Sequence, residues 1–184
     1  MSANLCCAGK PRQNGKDVRM SDEGQLKTVP LVRFERLLPL PIERVWQFLT
    51  DTALLPEWFG NGTIEPRVGG AVRLMNGHIR GVVTQWNPPR RLAYTWNVFN
   101  AGEDQSSYPE SYLTFELEPR EDRVLLVLTH LPVLERFEKQ NAMGWHCFLD
   151  MLDAAVRGEP ALPRSVHMKR NAARYGVDLS NLAR

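Results

Sequence analysis

From Leu31 onward the chain alternates apolar and polar side chains, with Val32 and Phe34 set against Arg33 and Glu35. A period of two is that of a strand with one buried face. The period then changes. Ile42, Val45, Trp46 and Leu49 recur at helical spacing after Pro41, a residue suited to a first helical turn. Residues 51–58 follow as a second short helix, disturbed by Pro56. Six strand segments come next, near 63–68, 71–76, 78–86, 91–99, 110–118 and 123–130. They are separated by Gly69-Gly70, Asn76-Gly77, Asn87-Pro88-Pro89 and Glu121-Asp122. Asn76-Gly77, between two short strands, is the strongest hairpin signal in the chain. The last long helix runs from about 134 to 157. Asn141, Trp145, Phe148, Leu149, Leu152 and Val156 share one of its faces, and Glu138, Asp150, Asp153 and Arg157 mostly lie away from it. Gly158 is placed to end it.

Strands joined by tight turns are antiparallel, because parallel neighbours need a crossover. A sheet of about seven strands needs its apolar face covered, and only the final helix is long enough to do so. The pattern therefore predicts an α+β fold: a curved antiparallel sheet wrapped around a long C-terminal helix, with two short helices after the first strand. Residues 1–28 are polar and aperiodic, which predicts a disordered leader ahead of a domain at 29–158. Met20-Ser21-Asp22-Glu23 resembles a protein start, so Met1 and Met20 are two candidate start residues. Residues 159–184 form a basic appendix containing Pro160 and Pro163, with a weak helix near 165–175. Val166, Ala173 and Tyr175 give that helix only a thin apolar stripe, which favours a solvated tail.

Composition adds limits. At 184 residues and 43% hydrophobic, the chain can bury one real core without a disulfide or metal staple. No stretch approaches the roughly 20 consecutive apolar residues of a membrane span. No basic segment followed by an apolar run marks a secretory signal. Three cysteines, with Cys6 and Cys7 adjacent, make no disulfide framework and fit a reducing, cytoplasmic setting. The net charge of +2 hides an asymmetry. Basic residues outnumber acidic ones five to three in 1–27 and six to two in 157–184, against twelve to sixteen between. A nucleic-acid binder carries its basic stripe on the folded face, so nucleic acid is not an expected partner.

The local sequence words also match a known family. Pro41-Ile-Glu-Arg-Val45-Trp46-Gln-Phe-Leu49-Thr50-Asp51 leads to Trp58-Phe59-Gly60 and Arg67-Val-Gly69-Gly70. Gly81-Val-Val83 runs into Trp86-Asn-Pro88-Pro89-Arg-Arg-Leu92-Ala-Tyr94-Thr-Trp96. Leu113-Thr-Phe115-Glu-Leu117, Thr129-His130 and Gly144-Trp145-His-Cys-Phe-Leu149-Asp-Met-Leu152 complete the series. In this order the chain, from about Leu31 to Arg157, resembles the SRPBCC superfamily of START, birch-pollen-allergen and polyketide-cyclase domains. Within it, the branch homologous to the activator of heat-shock protein 90 ATPase is most similar. The resemblance implies a helix-grip fold with a cavity between sheet and long helix, often able to hold an apolar small molecule. It implies no single chemistry, since members include lipid binders, cyclases, hydrolases and co-chaperones.

Candidate site residues follow from face-sharing. Leu92, Tyr94 and Trp96 lie on one strand face, Leu113 and Phe115 on another, and Leu126, Leu128 and His130 on a third. Facing the long helix, these meet Trp145, Phe148, Leu149 and Leu152, and Trp58 and Phe59 close one end. The set is either a ligand cavity with a few polar tips or a filled core. His130 is expected at the core edge, bonded to backbone; the sharper alternative is a ligand-orienting or acid–base histidine. His78, His146 and His167 show no metal-ligand spacing, so no metal or cofactor is expected. Cys147 has the setting of an inert filler, and Ser106, Ser107 and Ser111 lack elbow glycines. Glu116, Glu118, Asp150 and Asp153 fall on solvent faces, so no carboxylate pair is assembled and no catalytic residue is assigned. The reading is a domain binding a hydrophobic or amphipathic small molecule. The alternative is a protein-interaction module resembling co-chaperones of heat-shock protein 90, with a homodimer possible, and a cyclase- or hydrolase-like enzyme stands third.

Overall fold

The computed structural model describes residues 28–160 and 162–182. The leader through Lys27, with Cys6, Cys7 and Met20, lies outside the described residues. Strand β1 (Val32–Leu38) is followed by α1 (Ile42–Thr50) and the single turn α2 (Leu55–Trp58). Six strands come next: β2 (Gly62–Ile64), β3 (Ala71–Leu74), β4 (Ile79–Asn87), β5 (Arg91–Val98), β6 (Ser111–Arg120) and β7 (Arg123–Leu131). The long helix α3 (Glu138–Val156) and a last helix α4 (Arg164–Tyr175) complete the order. The seven strands form one antiparallel sheet in the order β1-β7-β6-β5-β4-β3-β2. The α+β helix-grip architecture expected from the pattern is the one observed.

Register explains why the candidate residues converge. Val32 pairs with His130, His130 with Leu113, and Leu113 with Tyr94, so one row crosses four strands on the inner face. Phe34, Leu128, Phe115 and Leu92 make the next row. Alternation fixes every one of these side chains on the same side. The β3–β4 hairpin turns at Met75, Asn76 and Gly77, all with positive φ, as the Asn-Gly signal anticipated. At Gly81 the sheet is so tight that a side chain would run into the Thr95 carbonyl, and the Val82 amide donates to Thr95 Oγ1 instead (3.0 Å).

Three local expectations are corrected. Strand β2 stops at Ile64 rather than extending to 68, because Pro66 has no amide to donate and the chain turns at once. The helix expected over 51–58 is a turn at 52–54 followed by α2, with Pro56 inside its first turn, where a missing amide costs nothing. The appendix is not a solvated tail. Helix α4 starts after Pro163, ends at the left-handed Gly176, and packs on α3. Met143, Cys147 and Ala172 are buried between them, with Met168, Tyr175, Val177, Leu179 and Leu182 around the rim. The residues beyond α4 supply the apolar area that the helix's own stripe lacks.

Candidate functional site

All fourteen candidate residues reach the space between sheet and α3, and aromatic rings fill its centre. Phe59 stacks on Trp145 at 5.9 Å and leans on Phe148 at 4.6 Å. Trp58 meets Phe115 edge-on at 6.4 Å, and Trp96 lies 5.3 Å from Trp145. Trp58, carried in by α2, donates its indole N–H to the Phe48 carbonyl of α1 at 2.8 Å, which locks the helix pair onto the core. Leu92, Tyr94, Leu113, Leu126, Leu128, Leu149 and Leu152 surround these rings and are buried. Burial pushes the Tyr94 hydroxyl far above its ordinary range, so it stays a neutral phenol.

His130 departs from expectation. It is 3% exposed, and its partners are side chains rather than backbone. Trp145 donates its indole N–H to His130 Nδ1 at 3.0 Å. Indole can only donate, so Nδ1 carries no proton and the ring's single N–H sits on Nε2. That group faces Ser111 Oγ at 2.9 Å, and Ser111 in turn donates to the Trp96 carbonyl at 3.3 Å. The chain Trp145→His130→Ser111→Trp96 is thus satisfied at each step with a neutral imidazole. Burial holds the His130 pKa at about 4, well below its ordinary 6.5. The polarity of this chain is opposite to that of a serine nucleophile and its base, because His130 donates toward Ser111 instead of accepting from it.

A cleft of about 60 Å³ opens onto this polar chain, and of the fourteen candidates only Trp96 and His130 line it. Its remaining walls are Val98, Tyr108, Pro109, Ser111, Pro132, Val133, Leu134, Phe137 and Asn141. Tyr108 packs edge-on against Phe137 at 5.1 Å, and both rings form part of the wall. Ser111 was legible as a face-mate of Leu113 and Phe115 by alternation. Tyr108 lies in the loop between β5 and β6, where no periodicity marks it.

Other candidates have different settings. Cys147 is buried as expected but faces α4, where Asn171 lies 3.6 Å from its sulfur; burial pushes its thiol up. Asp150, expected in solvent, sits between the helices, accepting from Asn171 Nδ2 at 3.0 Å and lying 3.4 Å from His146 and 3.7 Å from His167. Among the described residues no group of three or more His, Cys, Asp or Glu side chains is arranged to hold a metal ion, and no helix is long and apolar enough to cross a membrane.

Sheet order, inner-face aromatics and a gripped C-terminal helix define a helix-grip domain of the START-like class. Residues 39–157 match the family model described as Activator of Hsp90 ATPase homolog 1-like protein, and the chain belongs to that family. Similar solved structures include CalU16 from Micromonospora echinospora, at 22% identity and a TM-score of 0.63, covering 83% of this chain and 97% of that one. An HSP90 activator from Plasmodium falciparum matches at 22% identity and 0.58, over 72% and 99%. The Aha1 dimer from Colwellia psychrerythraea matches at 21% and 0.57, over 69% and 96%. No curated protein matches the sequence.

Proposed function

We propose that the domain binds a small aromatic or amphipathic molecule at the Trp96–His130 end of the grip. The observation that supports this most is the chemistry of the cleft: a mostly aromatic and apolar wall with His130, Ser111 and Asn141 as its polar groups. Ligand pockets commonly combine large apolar surface with a few fixed polar groups. At rest the cleft holds only a few atoms, against roughly 300–1,000 Å³ for a ligand pocket. Binding therefore requires the cleft to widen, and the Tyr108–Phe137 pair, carried partly on the β5–β6 loop, is the part of the wall proposed to yield. The remaining candidates act as the rigid wall behind it rather than as direct contacts.

A panel of apolar aromatic ligands should raise the melting temperature, with stabilisation of about 2.7 kcal/mol at a hundredfold excess over Kd. Val98→Trp, which fills the cleft from a half-buried position, should remove the shift and leave the protein folded. Absence of any shift across the panel, together with no co-purifying small molecule in native mass spectrometry, would overturn the proposal.

A protein-interaction role has its own support. Leu37 and Tyr112 are 48% and 45% exposed on the outer sheet face, flanking the half-buried Leu125, Val127 and Leu131 of β7. Apolar residues on that face, interrupted by Thr129 and flanked by Glu35, Glu116 and Glu118, suit a mixed partner surface, whether a chaperone or a second copy of the chain. Loss of a pull-down on Leu37→Glu and Tyr112→Glu, with ligand shifts unchanged, would favour this role over the first.

A further inference from the structure

Helix α4 is held on α3 through His146, a residue the proposed ligand site does not use. Its Nε2 has two rival partners. Arg174 of α4 places Nη1 at 2.8 Å, and Asp150 of α3 places Oδ1 at 3.4 Å. A guanidinium can only donate, and the same Nη1 lies 3.5 Å from Nδ1, so the Arg174 contact requires an unprotonated ring nitrogen and hence a neutral imidazole. Nδ1 faces the Tyr175 hydroxyl at 2.8 Å, a group that can accept from it or donate to it. The Arg174 contact thus belongs to the neutral imidazole alone, whereas the Tyr175 contact survives protonation with Nδ1 as donor.

We propose that α4 is an acid-released latch, in which protonation of His146 exchanges its bond to Arg174 for one to Asp150. A protonated Nε2 can donate to Asp150 on its own helix, but it faces Arg174 donor against donor and charge against charge. The groups around the ring oppose one another in a defined way. Asp150 favours the charged form, whereas burial, Arg36 of β1 and Arg174 of α4 disfavour it; burial is the largest influence. Phe34 of β1 packs edge-on against the ring at 5.5 Å and gives a proton no partner. His167 of α4 faces the other side of Asp150 at 3.7 Å. The net effect holds the His146 pKa below its ordinary value. Docking is therefore at full strength above about pH 6.5, where a free imidazole is neutral, and weakens as the pH falls.

The rest of the interface is mixed: Asn171 donates to Asp150 at 3.0 Å and Arg164 lies 4.5 Å over the Phe148 ring, yet other polar atoms there are left unpaired. Both ring nitrogens of His167 and the Asn171 Oδ1 are buried with no hydrogen-bond partner. Undocking hydrates them, which offsets part of the apolar contact given up. Release uncovers Met143 and Cys147 and removes Tyr175 from the wall of a groove of about 390 Å³ between β1 and α3. The latch thus controls access to the back of the same helix whose front lies against the sheet.

Hydrogen exchange of the full chain between pH 7.5 and 5, corrected for intrinsic rates, tests this. Protection of 164–175 should fall by up to about tenfold per pH unit, the limit for one proton, through an opening that leaves β6 and β7 better protected than α4 at each pH. In His146→Gln, which keeps an acceptor for Arg174 and takes up no proton, the dependence should flatten. In Asp150→Asn, which removes the rival partner, release should move to lower pH. The proposal is overturned by a wild-type slope retained in full in His146→Gln, by protection of 164–175 that is already absent at pH 7.5, or by protection of 164–175 equal to that of β6 and β7 at every pH.

Discussion

Trp145 and His146 are neighbours in the chain and face opposite sides of α3, so one helix joins two buried histidine clusters built in different ways. On the sheet side, His130 receives one hydrogen bond and gives one, and the Ser111 beyond it completes the chain on a backbone carbonyl. Aromatic rings surround it, and no charged group is needed. On the α4 side, His146 and His167 lie 3.4 and 3.7 Å from one carboxylate, Asp150, and three buried polar atoms there have no hydrogen-bond partner. Arg36, Asp150 and Arg174 bring charge of both signs into that layer. A fully paired polar network specifies one arrangement, whereas a half-paired one leaves alternatives close in free energy. The first cluster belongs to the rigid domain and the second to a helix that can leave.

The largest expected effect tests the rigid side. Trp145→Ala removes a ring that touches Phe59, Trp96, Phe115, His130 and Phe148 and leaves His130 Nδ1 without its donor. Trp145 is 3% exposed, so the change should cost about 3–5 kcal/mol, read by urea denaturation. A loss below about 1 kcal/mol would mean the aromatic cluster is not the keystone of the fold.

Acid should separate the two clusters by magnitude and reach. His130 has a folded pKa of about 4 against an ordinary 6.5, so the unfolded chain binds this proton first. The stability it contributes is complete above about pH 6.5 and is lost as pH falls toward 4, amounting to about 3 kcal/mol at about 1.4 kcal/mol per pKa unit. Denaturation midpoints at pH 7.5, 6.5 and 5 measure it, above the range where ordinary carboxylates titrate. Replacing His130 should remove most of that slope, whereas His146→Gln should leave it in place, because His146 governs α4 alone.

The fold and the rigid cluster were legible in the sequence because they depend on period. Alternation put Leu92, Tyr94, Leu113, Phe115, Leu128 and His130 on one face, and helical spacing brought Trp145 and Leu149 to meet them. Whether that face enclosed a cavity or a filled core was not legible, since it depends on the sizes of rings such as Phe59 and Trp145 in three dimensions. Docking of α4 was hidden for another reason. Its buried face is made of His167, Asn171 and Ala172, which carry no hydrophobic periodicity, and its apolar support comes from Val177, Leu179 and Leu182 beyond the helix. Asp150 was assigned to solvent because it lies off the sheet-facing stripe of α3, which is correct for the sheet and wrong for the second interface.

The same substitution at the two buried histidines gives the smallest effect and the sharpest contrast. His130→Phe strands the Trp145 indole N–H and breaks the bond to Ser111, and an orphaned buried donor costs about 1–3 kcal/mol. His167 is 5% exposed, has no hydrogen-bond partner at either nitrogen, and lies 3.7 Å from Asp150, beyond hydrogen-bond reach. His167→Phe breaks no bond and removes two desolvated polar atoms, so it should stabilise α4 docking by about 1 kcal/mol. Hydrogen exchange of 164–175 at pH 7.5 would show it as slower opening, with the sheet amides unchanged. Should His167→Phe instead weaken docking by as much as His130→Phe weakens the core, His167 makes a bond to Asp150 in solution, and the two clusters are built alike.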